Sequence, residues 1–464
     1  MISVRRRGAA RLAAAVLASG LVAAGAIVTA GTAAADDAPP SQGGATATLG
    51  GLKTFDKAII HDNGKDQQVG AGLFEMSVDN GGSIQTYCID LHNPTQSKAK
   101  YEEKSWGETS LANNPNAGKI NWVLQNSYPQ VNDLGALAKT AGTGPLTEKT
   151  AAAGTQVAIW RFSDNAKVDA ADPQAEKLAD YLEKSAQNLQ EPKASLSLDP
   201  PAVSGKAGER LGPVKVHTNA DSVTLTPGAG SAGGVKLVDK SGKTITSAAD
   251  GGEVYFDVPE GTADGSATLT AQAATKVPVG RAFASATKSQ TQILAGSSES
   301  TVSATATANW AKKGAIPAVS AEKDCAKGGV DITASNKGDE AFTFELLGQK
   351  YTVEAGQSKT VTAPVKEDQS YKFTISGPNG FEKTFSGVLD CKTSSSGGSS
   401  DTPSSQPSPA SAGGSTGGDT SGGDLAETGS SSNTPMIAGI AVALVVVGGG
   451  AIFFVRKKKA TAGE

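Results

Sequence analysis

The sequence predicts a multidomain chain: an α+β domain, two all-β sandwiches of the immunoglobulin-like kind, a disordered Ser/Gly/Pro spacer and a C-terminal transmembrane helix. Three observations predict it. Helix and strand periodicities mix over residues 45–190, whereas 193–312 and 316–391 carry short alternating strands separated by Gly and Pro. Residues 392–424 are almost wholly Ser, Gly, Thr, Pro and Asp, a composition that buries no apolar surface and stays extended. Met436 to Val455 are apolar or glycine throughout, about twenty residues, enough to span a ~30 Å hydrocarbon core as a helix.

Residues 1–35 read as a secretory signal peptide. Arg5, Arg6, Arg7 and Arg11 make a basic start, an Ala/Val/Leu/Gly run follows, and Ala33-Ala34-Ala35 supplies the small residues of a cleavage site. Cleavage there leaves Asp36 as the mature start. An uncleaved anchor is the alternative, and twin-arginine export finds its arginines without the rest of its pattern.

The 45–190 domain opens with "AGLFEMSV" and "SIQTYCIDL", joined at Asp79-Asn80-Gly81-Gly82, a hairpin with Cys88 on its second strand. Helices follow. "NAGKINWVLQNS" carries Ile120, Val123 and Leu124, and "TEKTAAAGTQVAIWRFSD" is Ala-rich, weakened locally by Gly154. A third has Asp172 as N-cap, Pro173 at its first turn and Leu178, Tyr181, Leu182 and Leu189 as its apolar stripe.

Residues 193–312 read as a β-domain of short strands. Lys206 or Lys215 with Asn309 is a candidate isopeptide pair without a specific motif, and solvated surface is the simpler reading. In 316–391, Phe342, Phe344 and Leu346 share one strand face, and Tyr371, Phe373 and Ile375 another. Cys325 opens this domain and Cys391 closes it. In an oxidising compartment they pair, closing a loop of more than sixty residues, worth roughly 4 kcal/mol on the chain-entropy model. Cys88 is left alone, and an odd cysteine in a secreted chain suggests intermolecular pairing or a reactive thiol.

Composition excludes several classes. The net charge of −4, with no basic run outside the termini, offers nothing to nucleic acid. His61, His92 and His217 are scattered, so no metal site is expected. There is no H-E-x-x-H or P-loop, and no cofactor is implied.

Just before the apolar span sits Leu425-Ala426-Glu427-Thr428-Gly429, and Arg456 to Lys459 follow it. Motif, span and basic tail over 425–464 resemble a sortase cell-wall sorting signal. The resemblance implies cleavage between Thr428 and Gly429 and transfer of the Thr428 carboxyl to a peptidoglycan amine. Alanine at the second position looks like the actinobacterial variant read by class E sortases. The span would then hold the chain in the membrane only until sorting; a permanent single-pass anchor is the alternative.

"GTQVAIW" places Gln156 and Trp160 one helical turn apart on one face. With Tyr87-Cys88 upstream, Thr155, Gln156, Ala158, Ile159 and Trp160 resemble the thioester domains of Gram-positive surface proteins. The resemblance implies that the Cys88 sulfur attacks the Gln156 carboxamide, expels ammonia and leaves an internal thioester shielded by Tyr87 and Trp160. Ile89 and Asp90 depart from the aromatic and asparagine of many relatives. The implied protein is a wall-bound adhesin that acylates an amine, a lysine, on a target surface once and without turnover, and so is not an enzyme. Two other readings stay open: a passive wall stalk, and a Cys88–His92 catalytic pair that lacks an orienting group and has Asp90 beside the thiol.

Overall fold

A computed structural model describes residues 43–62, 64–228 and 234–393. The signal peptide, the spacer beyond 393, Leu425–Gly429 and Met436–Val455 lie outside the described residues. Among the described residues no helix is long and apolar enough to cross a membrane.

The first domain contains β1 (Thr46–Asp62), β2 (Lys65–Val78), β3 (Ser83–Cys88) and β4 (Lys100–Lys104). Helices α1 (Ala117–Gln125), α2 (Leu134–Ala141) and α3 (Glu148–Ser163) follow, then β5 (Val168–Ala170) and α4 (Pro173–Ser185). The β2–β3 turn uses positive φ at Asn80, Gly81 and Gly82, backbone that asparagine and glycine adopt most readily. Helix α3 is capped by Thr147, whose side chain accepts the Thr150 N–H, and is buried continuously from Ala151 to Trp160. Such a helix is surrounded rather than amphipathic: α1, α4, β1 and β2 all pack on it.

Gly154 is what admits α4. A Cβ there would lie 2.4 Å from the Ala175 carbonyl oxygen and 3.1 Å from the Leu178 Cβ, so a weak helix former is kept where two backbones approach closely. Asp172 caps α4 by accepting from the Gln174 and Ala175 N–H groups, with Pro173 next to it. The helix ends at Ser185, however, so Leu189 is not on its stripe; its N–H bonds the Gly118 carbonyl instead.

The domain border differs from the one read in the sequence. Two strands from the following segment, Ala282–Ser285 and Gln292–Ser297, enter the first domain's sheet between β4 and β3. The order is β2, β3, Gln292–Ser297, Ala282–Ser285, β4, β1, β5, and β1 also pairs with β2, so the sheet closes on itself. Without this hairpin β3 and β4 would each present unpaired backbone groups beside the core. Its Ala282, Phe283, Ile293, Leu294 and Ala295 are all buried, and its register sets Gln292 opposite Cys88 and Ile293 opposite Tyr87.

The other strands of 193–312 form a four-stranded and a five-stranded sheet, the latter ending in a parallel pairing of Ala202–Lys206 with Glu299–Ala311. The isopeptide pair does not assemble with Lys206, whose Nζ meets Asp339 at 3.0 Å while Asn309 donates to the Pro317 carbonyl; Lys215 stands in the four-stranded sheet, and Asn309 in the five-stranded one. Buried Glu103 of β4 ties this segment to the first domain, accepting from the Ser195 N–H and from Arg281 Nε, both at 2.9 Å.

Residues 317–388 form a three-stranded sheet and two hairpins around Ile332, Phe342, Phe344, Phe373, Ile375 and Phe385. Cys325 and Cys391 are disulfide-bonded, with Cα atoms 5.2 Å apart. That end lies against the first domain. The Cys325 N–H donates to the Gly107 carbonyl at 3.0 Å and Asn113 Nδ2 to the Cys325 carbonyl at 3.1 Å.

Candidate functional site

Cys88 ends β3 and Gln156 and Trp160 project from α3, and none of the three is exposed. Strand alternation explains part of this. Thr86 and Cys88 lie one pleat apart on one face, and the inserted Gln292 stands on that face of the neighbouring strand: it pairs with Cys88 in register and accepts from the Thr86 hydroxyl at 3.0 Å. The Gln156 Oε1 accepts the Cys88 backbone N–H at 3.0 Å, and its Nε2 donates to the Cys88 carbonyl at 2.8 Å. A buried side-chain amide is costly unless paired, and here both of its ends are paired to the backbone of Cys88.

Two donors converge on that sulfur. Trp160 Nε1–H and the Asp90 backbone N–H each reach Cys88 Sγ at 3.3 Å. Cys88 is a free thiol, and burial, followed by the nearby Asp164 charge, pushes its pKa well above the ordinary value. The two N–H groups act in the opposite direction. His92 is felt at Asp164, while the sulfur's partners are Trp160 and Asp90, so the Cys88–His92 pair finds no support.

The neighbouring motif residues build the walls. Tyr87 is fully buried and donates to the Tyr128 carbonyl at 2.8 Å, with the Thr155 side chain beside its hydroxyl. Thr155 turns its own hydroxyl back to the Ala151 carbonyl at 2.8 Å. Ala158 and Ile159 are core.

Sequence reasoning missed the polar shell. Gln290 Nε2 donates to the Asp90 carbonyl at 2.7 Å and Gln292 Nε2 to Gln290 Oε1 at 3.3 Å. Asp90 is 1% exposed; Asn93 donates to its Oδ2, and its Oδ1 has no hydrogen-bond partner. Asp164, the residue after α3, accepts the Leu91 N–H at 2.9 Å. Burial pushes the Asp90 carboxyl well above the usual carboxylate range and the Asp164 carboxyl up to about 6. The available signal was Gln290-Thr291-Gln292, polar side chains in a segment otherwise fit for a core. Glu367, Asp368 and Asp390 also lie close together, but Asp368 pairs with Lys288 at 2.7 Å and Glu367 accepts the Cys391 and Lys392 N–H groups.

Residues 85–188 match the family described as thioester domain, and 317–388 match the family described as bacterial phospholipase C, C-terminal domain. No curated protein matches. Among solved structures the chain is similar to the Bacillus anthracis TIE protein at 16% identity, covering 76% of this chain and 81% of that one, with a TM-score of 0.27. It is also similar to the thioester domain of the Enterococcus faecium TIE86 protein, at 16% identity over 58% of this chain and 97% of that one, TM-score 0.27. The N-terminal thioester domain of a Clostridium perfringens surface protein is 21% identical over 31% and 87%, TM-score 0.20. Over residues 85–188, which hold Cys88, Gln156 and Trp160, this chain carries a thioester domain.

Proposed function

We propose that Cys88 and Gln156 condense to an internal thioester, and that the protein uses it as a cell-surface adhesin to form an amide with a lysine amine on a target surface. The observation that carries this is the doubly hydrogen-bonded contact of Gln156 with the Cys88 backbone. It fixes the carboxamide on the residue that carries the thiol, and well-oriented intramolecular groups reach effective molarities of ~10⁵–10⁸ M. As Sγ attacks Cδ, negative charge collects on Oε1, where the Cys88 N–H already points; a preorganised donor of this kind lowers the barrier. Trp160 and the Asp90 N–H stabilise the sulfur when it loses its proton and when it leaves.

An amine attacking the acyl carbon yields a stable amide and the free Cys88 thiol. A lysine of ordinary pKa is less than about a thousandth deprotonated at pH 7, so specificity falls to the surface that docks and desolvates the right one. The reaction runs once per molecule, without cofactor or metal, and the protein is no enzyme. In this reading the signal peptide exports the chain. A class E-like sortase then joins Thr428 to peptidoglycan, and the two sandwiches, immunoglobulin-like in kind, with the Ser/Gly/Pro spacer form the stalk.

Intact mass before and after methylamine, beside Cys88→Ala and Gln156→Ala, tests the proposal. The wild type alone should be one ammonia lighter and should gain methylamine at Gln156; a wild type of full mass with an alkylatable Cys88 would sink it. The complete burial of Cys88, Gln156 and Trp160 favours a second reading, a passive stalk whose thioester locks the domain. That reading requires the ammonia loss together with resistance to methylamine.

A further inference from the structure

We propose that Gln290, delivered by the inserted hairpin, is a positioning residue of the thioester chemistry: it holds the turn after β3 so that the Asp90 N–H stays on the Cys88 sulfur. This rests on the thioester reading above and adds to it a residue that the matched stretch 85–188 does not contain. The placement follows from the sheet. Cys88 stands opposite Gln292, and the pairing runs one step further, where the Ile89 N–H donates to the Thr291 carbonyl at 3.1 Å. One residue beyond, Gln290 Nε2 donates to the Asp90 carbonyl at 2.7 Å.

That bond closes a clamp. The peptide joining Asp90 to Leu91 is held at its oxygen by Gln290 and at its N–H by Asp164 Oδ1, 2.9 Å away. The Asn93 N–H closes the turn on the same oxygen more loosely, at 3.4 Å. Asp164 follows α3, the helix that carries Gln156 and Trp160. The turn is thus fastened to the hairpin on one side and to α3 on the other, and the Asp90 N–H reaches Sγ at 3.3 Å. Gln290 is itself fixed and fully buried. Its N–H donates to the Pro94 carbonyl at 3.2 Å, its carbonyl accepts from the Tyr101 hydroxyl at 2.8 Å, and its Oε1 accepts from Gln292 Nε2 at 3.3 Å. A buried amide engaged at both ends has one orientation to keep.

Sulfur bears negative charge twice. Condensation breaks an S–H and a C–N bond and forms C–S and N–H bonds, the thiol proton leaving with ammonia. Aminolysis breaks the C–S bond and an amine N–H and forms C–N and S–H bonds. The sulfur attacks in the first reaction and departs in the second. Its two donors, Trp160 Nε1–H and the Asp90 N–H, lower the cost of charge on it both times. Trp160 stands on a buried helix and is held by it. The Asp90 donor stands in a turn, and Gln290 is what the hairpin supplies to hold that turn in place.

The test uses chain 43–393, whose described residues all fall in one compact unit. Gln290→Met keeps the length of the side chain and deletes the donor. Intact mass reads two rates: loss of ammonia by freshly folded protein, and uptake of methylamine by protein that has lost it. Both should fall together by about tenfold, the size of one neutral hydrogen bond. Ammonia loss at the wild-type rate overturns the proposal and leaves the thioester standing. Slower ammonia loss with faster methylamine uptake also overturns it, because a residue that merely covers the site would loosen the cover and admit the amine. Gln290→Glu keeps the size of the side chain. Its carboxyl can donate to the Asp90 carbonyl when protonated and cannot when ionised. Relative to wild type, its ammonia loss should slow as pH rises from about 5 to 9 and recover toward acid. Should Gln290→Met not fold, wild-type rates in Gln290→Glu throughout that range overturn the proposal equally. A wild type that never loses ammonia removes the thioester reading itself, and this proposal with it.

Discussion

Gln156 and the Cys88 backbone exchange two hydrogen bonds, at 3.0 and 2.8 Å, as though the side chain were one more strand laid beside β3. The pairing exists before any bond between the two residues, so it contributes to folding as well as to chemistry. Cys88→Ala deletes a thiol and keeps both bonds; Gln156→Ala keeps the thiol and strands a buried N–H and C=O. Both variants lack the cross-link, so their difference reports the pairing together with the packing of the Gln156 side chain. Gln156→Ala should be the less stable by roughly 2–4 kcal/mol in denaturant midpoints, and equal midpoints would show that the pairing adds nothing to stability.

Trp160→Phe keeps an aromatic ring in the core, though a smaller one, and deletes the Nε1–H that reaches Sγ at 3.3 Å. With one of two donors gone the sulfur is harder to ionise. Ammonia loss should slow by about tenfold, as expected for one neutral hydrogen bond of about 1 kcal/mol in a low-dielectric site. The mass of freshly folded protein at fixed times reads this directly, and an unchanged rate would make Trp160 a shield only.

The sequence made the pair legible because Tyr87-Cys88 and Thr155-Gln156 to Trp160 are local motifs, read on one strand and one helix. The β2–β3 hairpin and the α4 cap were legible for the same reason. What stayed hidden was non-local. Residues 282–297 carry no marker that they close a sheet begun more than two hundred residues earlier, and Gln290 and Gln292 look like surface until the register puts them against Cys88. Gly154 shows the same limit in reverse. Propensity marks it as a weak point, and only the approach of α4 shows why a larger residue is excluded.

Gly154→Ala tests that point. Helix propensity alone favours alanine by roughly 1 kcal/mol. A Cβ 2.4 Å from the Ala175 carbonyl oxygen must instead push α4 away from α3, and overpacking of this kind costs about 1–3 kcal/mol. The urea midpoint should therefore fall; a rise would mean that the two helices separate freely.

Stability should depend on pH in a stated direction. Burial raises Asp164 from the ordinary aspartate value to about 6, and burial with neighbouring Asp368 does the same to Asp390. A raised carboxyl favours the folded state when protonated. Its stabilisation is complete below the unfolded-state pKa and is lost as pH rises through about 6. The melting temperature should fall between about pH 5 and 7.5, and Asp164→Asn should remove part of the fall, on the order of 1–3 kcal/mol. His61, raised by Asp66 and Asp169, acts in the same direction, so the variant and not the wild-type curve is decisive. The lowered carboxyls of Asp239, Asp250, Asp324 and Asp339 act below this window.

The disulfide fastens more than its own domain. Cys325 and Cys391, 66 residues apart in sequence, constrain the unfolded 317–391 segment by roughly 4 kcal/mol on the chain-entropy model. Cys325 also holds Gly107 and Asn113 through its backbone, and Ala112 packs on the cluster of Cys325, Leu389 and Cys391. Replacing both cysteines by serine should lower the melting temperature of this segment and also speed amide exchange over Trp106–Asn113, because that stretch loses a fixed surface to lie against. Exchange that quickens within 317–391 but not over Trp106–Asn113 would show that the bridge staples only its own segment. Quickening at both would mean that reduction of one bond is felt in the domain that carries Cys88 and Gln156.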